Sequence, residues 1–267
     1  MAGSVRTRRE GAVAEVRIDR PERLNALDVP TFRELREALG SVALDESVRA
    51  VILTGEGRAF CAGGDVATME EFRAKGELPR LFHELTGEQE LSVREIVGMR
   101  KPVVASLPGV AAGGGLSLAL SADWRIGSEA AVLVPAFPAL GAVPDGGLTY
   151  FLPHFLGIGL AQEVLYSNAR LPAQRAKDLG LLHEVVPAER LAERTWERAR
   201  ELADGPTFAW GWMKRLMVSA FSETLESQMA LERRGAVEAA RREELDEGIR
   251  AFREKRRPAF REAKRVG

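Results

Sequence analysis

Cysteine occurs once in the 267-residue chain, at Cys61, which excludes a disulfide framework and a multi-cysteine zinc or iron–sulfur centre. Histidine is nearly as scarce. His83, His154 and His183 lie far apart, without the short spacing of a metal-binding pair, so no metal is expected. Aromatic residues make up 6% of the chain, and 38 basic against 39 acidic residues leave a net charge of −1. Neither a basic footprint nor aromatic–basic interleaving is present to suggest a nucleic-acid binder. An unbroken long apolar run is missing too. Residues 102–122 carry no charge and are long enough to span a membrane, but Pro102, Pro108, Gly109 and the run Gly113, Gly114, Gly115 interrupt any helix there. The first residues, MAGSVRTRREGAVAEV, have basic side chains without the apolar segment of a secretory signal, so a cytoplasmic protein without a membrane span is expected.

What is present is an ordinary globular composition, 45% hydrophobic and 29% charged, in a chain long enough for a sizeable core. The charge is unevenly spread. None falls between Lys101 and Asp123, only Asp145 falls between Glu129 and Glu163, and the tail from Glu223 is dense in charge. Residues 13–18 alternate as a strand, and 31–42 place Phe32, Leu35, Leu39 and Val42 on one helical face. The apolar runs 50–54 and 103–107 read as buried strands, 130–134 as a shorter third, and 69–99 as polar, helix-prone sequence. Strands alternating with helices predict an α/β core with crossover connections. After Gly157 helical periodicity dominates, with helices expected over 188–202, 207–218, 224–240 and 242–253. The expected organisation is a core over 1–200 and a helical C-terminal region over 201–267, with no linker or repeat between them.

Candidate chemistry centres on two glycine clusters and one acid. Cys61-Ala62-Gly63-Gly64-Asp65 follows the strand at 50–54, and Gly113-Gly114-Gly115 follows the strand at 103–107. Small residues at such handovers expose backbone N–H groups, and two that converge form an oxyanion hole; tight turns for close packing are the other reading. Neither cluster fits a dinucleotide fingerprint or a phosphate loop. Asp145 stands alone in an apolar segment, either as a turn or cap residue or as a base whose pKa desolvation raises. Cys61 lacks a local histidine to activate it, Ser117 is not in a GxSxG elbow, and His83 and Glu90 are expected to face solvent.

The order of these motifs is similar to that of the crotonase (enoyl-CoA hydratase/isomerase) superfamily. The resemblance runs from about Val13 to Phe260, carried by Arg20-Pro21-Glu22-Arg23-Leu24-Asn25-Ala26-Leu27, Ala59-Phe60-Cys61-Ala62-Gly63-Gly64-Asp65, Lys101-Pro102-Val103-Val104-Ala105, Gly109-Val110-Ala111-Ala112-Gly113-Gly114-Gly115 and Phe252-Arg253-Glu254-Lys255-Arg256. It implies repeated ββα units, a homotrimer or dimer of trimers, and an acyl-CoA substrate with no separate cofactor. It also implies an oxyanion hole from the N–H groups of Gly64 and Gly114. CoA would lie along Arg23, Leu24 and Ala26, with Ala62, Asp65 and Val66 near the adenine, and Phe252 and Lys255 closing from the tail.

The departures narrow the expected reaction. The two glutamates that hydratases use are replaced by Ser117 and Phe137. Asp145 instead matches the acidic position of several isomerases, and the run Leu140-Gly141-Ala142-Val143-Pro144-Asp145-Gly146-Gly147 looks most like the 1,2-epoxyphenylacetyl-CoA isomerase type. The resemblance therefore implies double-bond isomerisation with Asp145 as the acid/base. Hydratase-like, hydrolase or dehalogenase chemistry is the alternative, or a non-catalytic binding protein on the same fold. Aryl-CoA dehalogenases pair their aspartate with tryptophan and histidine, where this chain has Phe137 and Glu90; a Glu90 side chain that enters the pocket is the alternative to one that faces solvent.

Overall fold

The computed structural model describes residues 3–261. The chain opens with β1 (Val5–Glu10) and β2 (Val13–Ile18), then α1 (Val29–Leu44), β3 (Ala50–Gly55), β4 (Ala59–Cys61), α2 (Val66–Ala74) and α3 (Leu78–Gly98). Next come β5 (Val103–Leu107), β6 (Val110–Ala112), α4 (Gly114–Ser121), β7 (Trp124–Ser128), β8 (Val132–Val134), α5 (Leu148–Leu156) and α6 (Ile158–Tyr166). The last third holds β9 (Leu171–Pro172), α7 (Ala173–Asp178), β10 (Glu184–Val186), α8 (Leu191–Ala203), α9 (Thr207–Ser219), α10 (Leu225–Ala239) and α11 (Glu243–Glu254).

Two sheets result, ordered β1-β2-β3-β5-β7-β10 and β4-β6-β8-β9. Three successive ββ pairs, β3–β4, β5–β6 and β7–β8, each place their first strand in the larger sheet and their second in the smaller. Apart from the β1–β2 hairpin and the antiparallel β9, every pairing is parallel. The strand runs are apolar throughout because both faces of the larger sheet are covered. Val51 and Leu53 belong to the core shared with Phe32, Leu35 and Leu39 of α1 and Ile96 of α3. Ala50 and Ile52 belong to a second core, with Trp196 and Ala199 of α8 on the opposite face. Helix α1 starts where Asp28 caps it, its side chain accepting from Thr31 N–H, with Pro30 in the first turn.

The sequence reading passes over β1, β7 and several short strands. The glycine clusters do not directly follow the strands at 50–54 and 103–107; three-residue strands β4 and β6 intervene, too short to show alternation. The helix-prone segment 69–99 splits at Gly76, whose φ is +71°, with Pro79 opening α3. Among the described residues, no helix is long and apolar enough to cross a membrane.

Helix α4 is buried on all sides and lies hard against β4: a Cβ built on Gly115 would stand 2.3 Å from the Cys61 carbonyl oxygen. Gly115→Ala should therefore push α4 from the smaller sheet and lower unfolding free energy by about 1–3 kcal/mol, measured by urea denaturation.

Candidate active site

Parallel pairing of β4 with β6, Cys61 opposite Ala111, sends both strands the same way and delivers the two glycine turns side by side. A Cβ on Gly63 would lie 2.8 Å from the Ala112 carbonyl oxygen and 3.5 Å from Gly114 N. Leu27 bridges in parallel to Gly64: Leu27 N–H donates to Gly63 at 2.8 Å and Asp65 N–H to Leu27 at 2.9 Å. That ladder skips the Gly64 N–H, which points to the other side. Gly114 is the first residue of α4, where an N–H has no partner within the helix. Among the described residues, neither amide is spent on a hydrogen bond.

Asp145 comes to this place from the loop before α5. Its carboxylate accepts from Gln89 Nε2 at 2.9 Å, and its backbone carbonyl accepts from Ser117 Oγ at 2.9 Å. Burial pushes its pKa up to about 6, against the smaller opposing effect of the Gln89 hydrogen bond. No charged partner contributes to that shift. Ser117 is buried beneath the loop, and the Phe137 ring borders the glycine turn: a Cβ on Gly113 would lie 3.9 Å from its Cζ.

The residues expected along CoA also gather. Ala62 N–H donates to the Leu24 carbonyl at 3.0 Å, Ala26 N–H to that of Arg23 at 3.0 Å, and Arg23 pairs with Asp65 at 3.3 Å. Asp65 is more committed than the sequence suggested. Its carboxylate caps α2 through Ala67 N–H and pairs with Arg20 as well, so at this edge Val66 and the half-exposed Arg23 are the side chains presented outward. Phe252 is 85% exposed and Lys255 ends α11 in the left-handed region; the structure does not pack them against the glycine turns.

Glu90 faces solvent, as first expected, and does not enter the pocket as the alternative had it; it pairs with Arg94 at 2.8 Å, because the side of α3 turned inward carries the preceding residue. Gln89 is that residue, and the sequence reading missed it. The signal was there: Leu81, Leu85, Gln89, Val93 and Val97 recur every fourth residue, and Gln89 is the one polar member of an apolar stripe.

Other candidates stand apart from this centre. The Cys61 thiol is buried and pushed up to about 12 by desolvation, which leaves it unreactive. His83 is exposed on α3, His154 packs on Tyr150 and Phe221, and His183 stacks on Trp124 with its pKa lowered to about 4 by burial. Among the described residues, no cluster of three or more His, Cys, Asp or Glu could hold a metal ion. A cavity of about 990 Å³ lies between α3, α5 and α9. Val93 and Val97 line it, one and two helical turns beyond Gln89, together with Gly147, Tyr150, Phe151 and Trp212.

One half-buried carboxylate thus lies close to two glycine turns whose amides make no hydrogen bond among the described residues. The description of the enoyl-CoA hydratase/isomerase family matches residues 8–263, and the chain belongs to this family. It is 37% identical over 251 residues to the 1,2-epoxyphenylacetyl-CoA isomerase of Escherichia coli K12, covering 94% of this chain and 95% of that protein. It is 31% identical over 248 residues to 4-chlorobenzoyl coenzyme A dehalogenase-2 of an Arthrobacter species, covering 91% and 88%. Among solved structures, an enoyl-CoA hydratase from Polaromonas sp. JS666 superimposes with a TM-score of 0.90 at 34% identity, covering 96% of this chain and 99% of the other. The ββα architecture is therefore the crotonase fold that the sequence motifs implied.

The Asp145 environment has a thermodynamic cost with a definite sign. A carboxyl raised to about 6 in the folded state binds protons more tightly there than in the unfolded chain, whose carboxyl titrates near 3.9. Stability therefore falls as pH rises from about 4 through 6 and stays reduced above that. Asp145→Asn removes the ionisation. The variant should be more stable than the parent by about 2 kcal/mol at pH 8, with the gap closing toward pH 4, as measured by denaturant unfolding across pH.

Proposed function

We propose that this chain is a CoA-thioester isomerase that shifts a carbon–carbon double bond, with Asp145 as its single acid/base. The thioester carbonyl oxygen accepts from Gly64 and Gly114 N–H. Two such donors stabilise the negative charge that reaches the oxygen when the α-carbon loses a proton. Asp145 takes that proton from a 3-enoyl-CoA; the C–H pair moves into the carbonyl to give a dienolate. The same carboxyl returns the proton at the γ-carbon, and the double bond emerges conjugated with the thioester.

The observation that carries this reading is the solitary acid. Water addition needs a base for water and an acid for carbon. At the two hydratase positions, the Ser117 hydroxyl is engaged by the Asp145 carbonyl and Phe137 has no proton to give. A pKa near 6 suits a group that must both accept and return a proton near neutrality. Dehalogenation is less well supported, since Phe137 and solvent-facing Glu90 stand where the tryptophan and histidine would be needed.

CoA is read along Arg23, Leu24, Ala26, Ala62, Asp65 and Val66, with Phe252 and Lys255 available from the tail. The acyl part extends from Asp145 toward the cavity lined by Val93, Tyr150 and Phe151. Association of copies is supported by the exposed apolar side chains Met213 and Met217 of α9, Phe221 of the turn that follows, and Leu225 and Met229 of α10. Sedimentation should give a trimer or hexamer, with Met217→Arg lowering the mass; a monomeric parent would remove the oligomer from this reading.

Asp145→Asn should lower turnover of 3-enoyl-CoA thioesters by about 10²–10⁴-fold while calorimetry still records CoA binding. In the parent, the ionised carboxyl is the base, so kcat/KM should be high above pH 6 and fall below it. Full activity in the Asn variant would sink the assignment.

A further inference from the structure

We propose that Gln89 is the positioning residue of the proton shuttle: its amide fixes one oxygen of Asp145 beside the Gly114 turn, so that the other oxygen alone carries the proton. This inference rests on the isomerase reading and extends it to a residue outside the glycine and aspartate motifs.

Gln89 is 3% exposed, on the inward face of α3, between the oxyanion turn and the acid loop. A Cβ on Gly114 would stand 2.5 Å from Gln89 Oε1, and one on Gly146 would stand 1.9 Å from Gln89 Nε2. Both neighbours must therefore be glycine for the amide to lie where it does, and Gly146 has a φ of +57° besides. The orientation of the amide follows from its partner: an ionised carboxylate only accepts, so the NH₂ group faces Asp145 Oδ1, at 2.9 Å, and the carbonyl faces Gly114. One side chain thus touches the residue that donates to the carbonyl oxygen and the residue that moves the proton. It holds their spacing constant while charge passes between them.

Among the described residues, no other side chain hydrogen-bonds the Asp145 carboxylate. On α3, Glu88 pairs with Arg33 and Arg36 at 3.1 and 2.9 Å, and Glu90 pairs with Arg94. Helix α4 has no titratable side chain, and Ser117 engages the Asp145 backbone rather than its carboxylate. On α5, the Tyr150 hydroxyl donates to the Val218 carbonyl and His154 packs on Tyr150. Gln89 is therefore the side chain through which the acidity of Asp145 is set against desolvation.

The test compares Gln89→Met, which fills the space without donating, and Gln89→Glu, which keeps the shape and replaces the NH₂ with oxygen. Two readouts are taken: the carbon-13 titration of the Asp145 carboxyl, assigned by its loss in Asp145→Asn, and the pH profile of kcat/KM with a 3-enoyl-CoA. Losing a hydrogen bond to the charged form should move the Asp145 titration and the acid limb up by about one pH unit or more in the Met variant, and further in the Glu variant. Activity at pH 6 should then fall about fivefold more than at pH 9, or further where the shift is larger. A titration unchanged in both variants overturns the proposal, as does a loss of activity that is uniform across pH. The carbon-13 titration needs no turnover, so it tests Gln89 even where Asp145→Asn retains activity and the isomerase reading fails.

Discussion

The close approach of two backbone turns is the constraint on which the rest of the molecule depends. Gly63 lies against the Ala112 carbonyl and Gly115 against that of Cys61, at separations that no side chain survives. The contact is set by β4 and β6, adjacent and parallel in the smaller sheet, and those strands are adjacent because each ββα repeat lays its second strand beside the previous one. The pairing of the two glycine turns is thus a product of repeat geometry. Neither amide could be aimed by its own local sequence.

Around this contact the chain keeps charge away. The uncharged middle of the sequence becomes α4, buried on every side, and the loop that carries Asp145. Low polarity raises the carboxyl toward neutrality, and the same low polarity strengthens whatever hydrogen bonds the amides offer. Ion pairs sit at the periphery instead: Asp65 with Arg20 and Arg23 at the start of α2, and Glu184 with Arg194 and Arg198 on the far side of the larger sheet. The division between an uncharged centre and a charged rim leaves Asp145 without a cation to hold it ionised, which is what the proposed role as a base calls for.

Much of this was legible in the residues. The run 103–107 was read with its observed bounds, 50–54 to within one residue, and the C-terminal helices to within a few, because burial on both faces and 3.6-residue periodicity leave strong traces. The two glycine clusters and Asp145 stood out by composition. The three-residue strands did not, since alternation needs more length to show, and neither did their pairing, a matter of topology. Gln89 escaped for another reason. An amide in an apolar stripe looks like an imperfect core position until the partner that justifies it, 56 residues along the chain, is placed opposite. Glu90, raised only as the counterpart of the dehalogenase histidine, is turned outward, as a charged residue on a helix usually is.

The hydrogen bond from Ser117 to the Asp145 carbonyl bears on how reaction types are exchanged on this scaffold. The hydroxyl occupies a hydratase-glutamate position, yet here it is a fastener for the loop that carries the acid. Writing a glutamate into that place would release the loop and set a second carboxyl in the same dry space, where two negative charges raise each other's pKa. Gain of water chemistry would thus come with loss of the anchor that aims the existing acid. On the isomerase reading, the two activities are separated by the rebuilding of a loop attachment, and a single exchange of side chains does not join them.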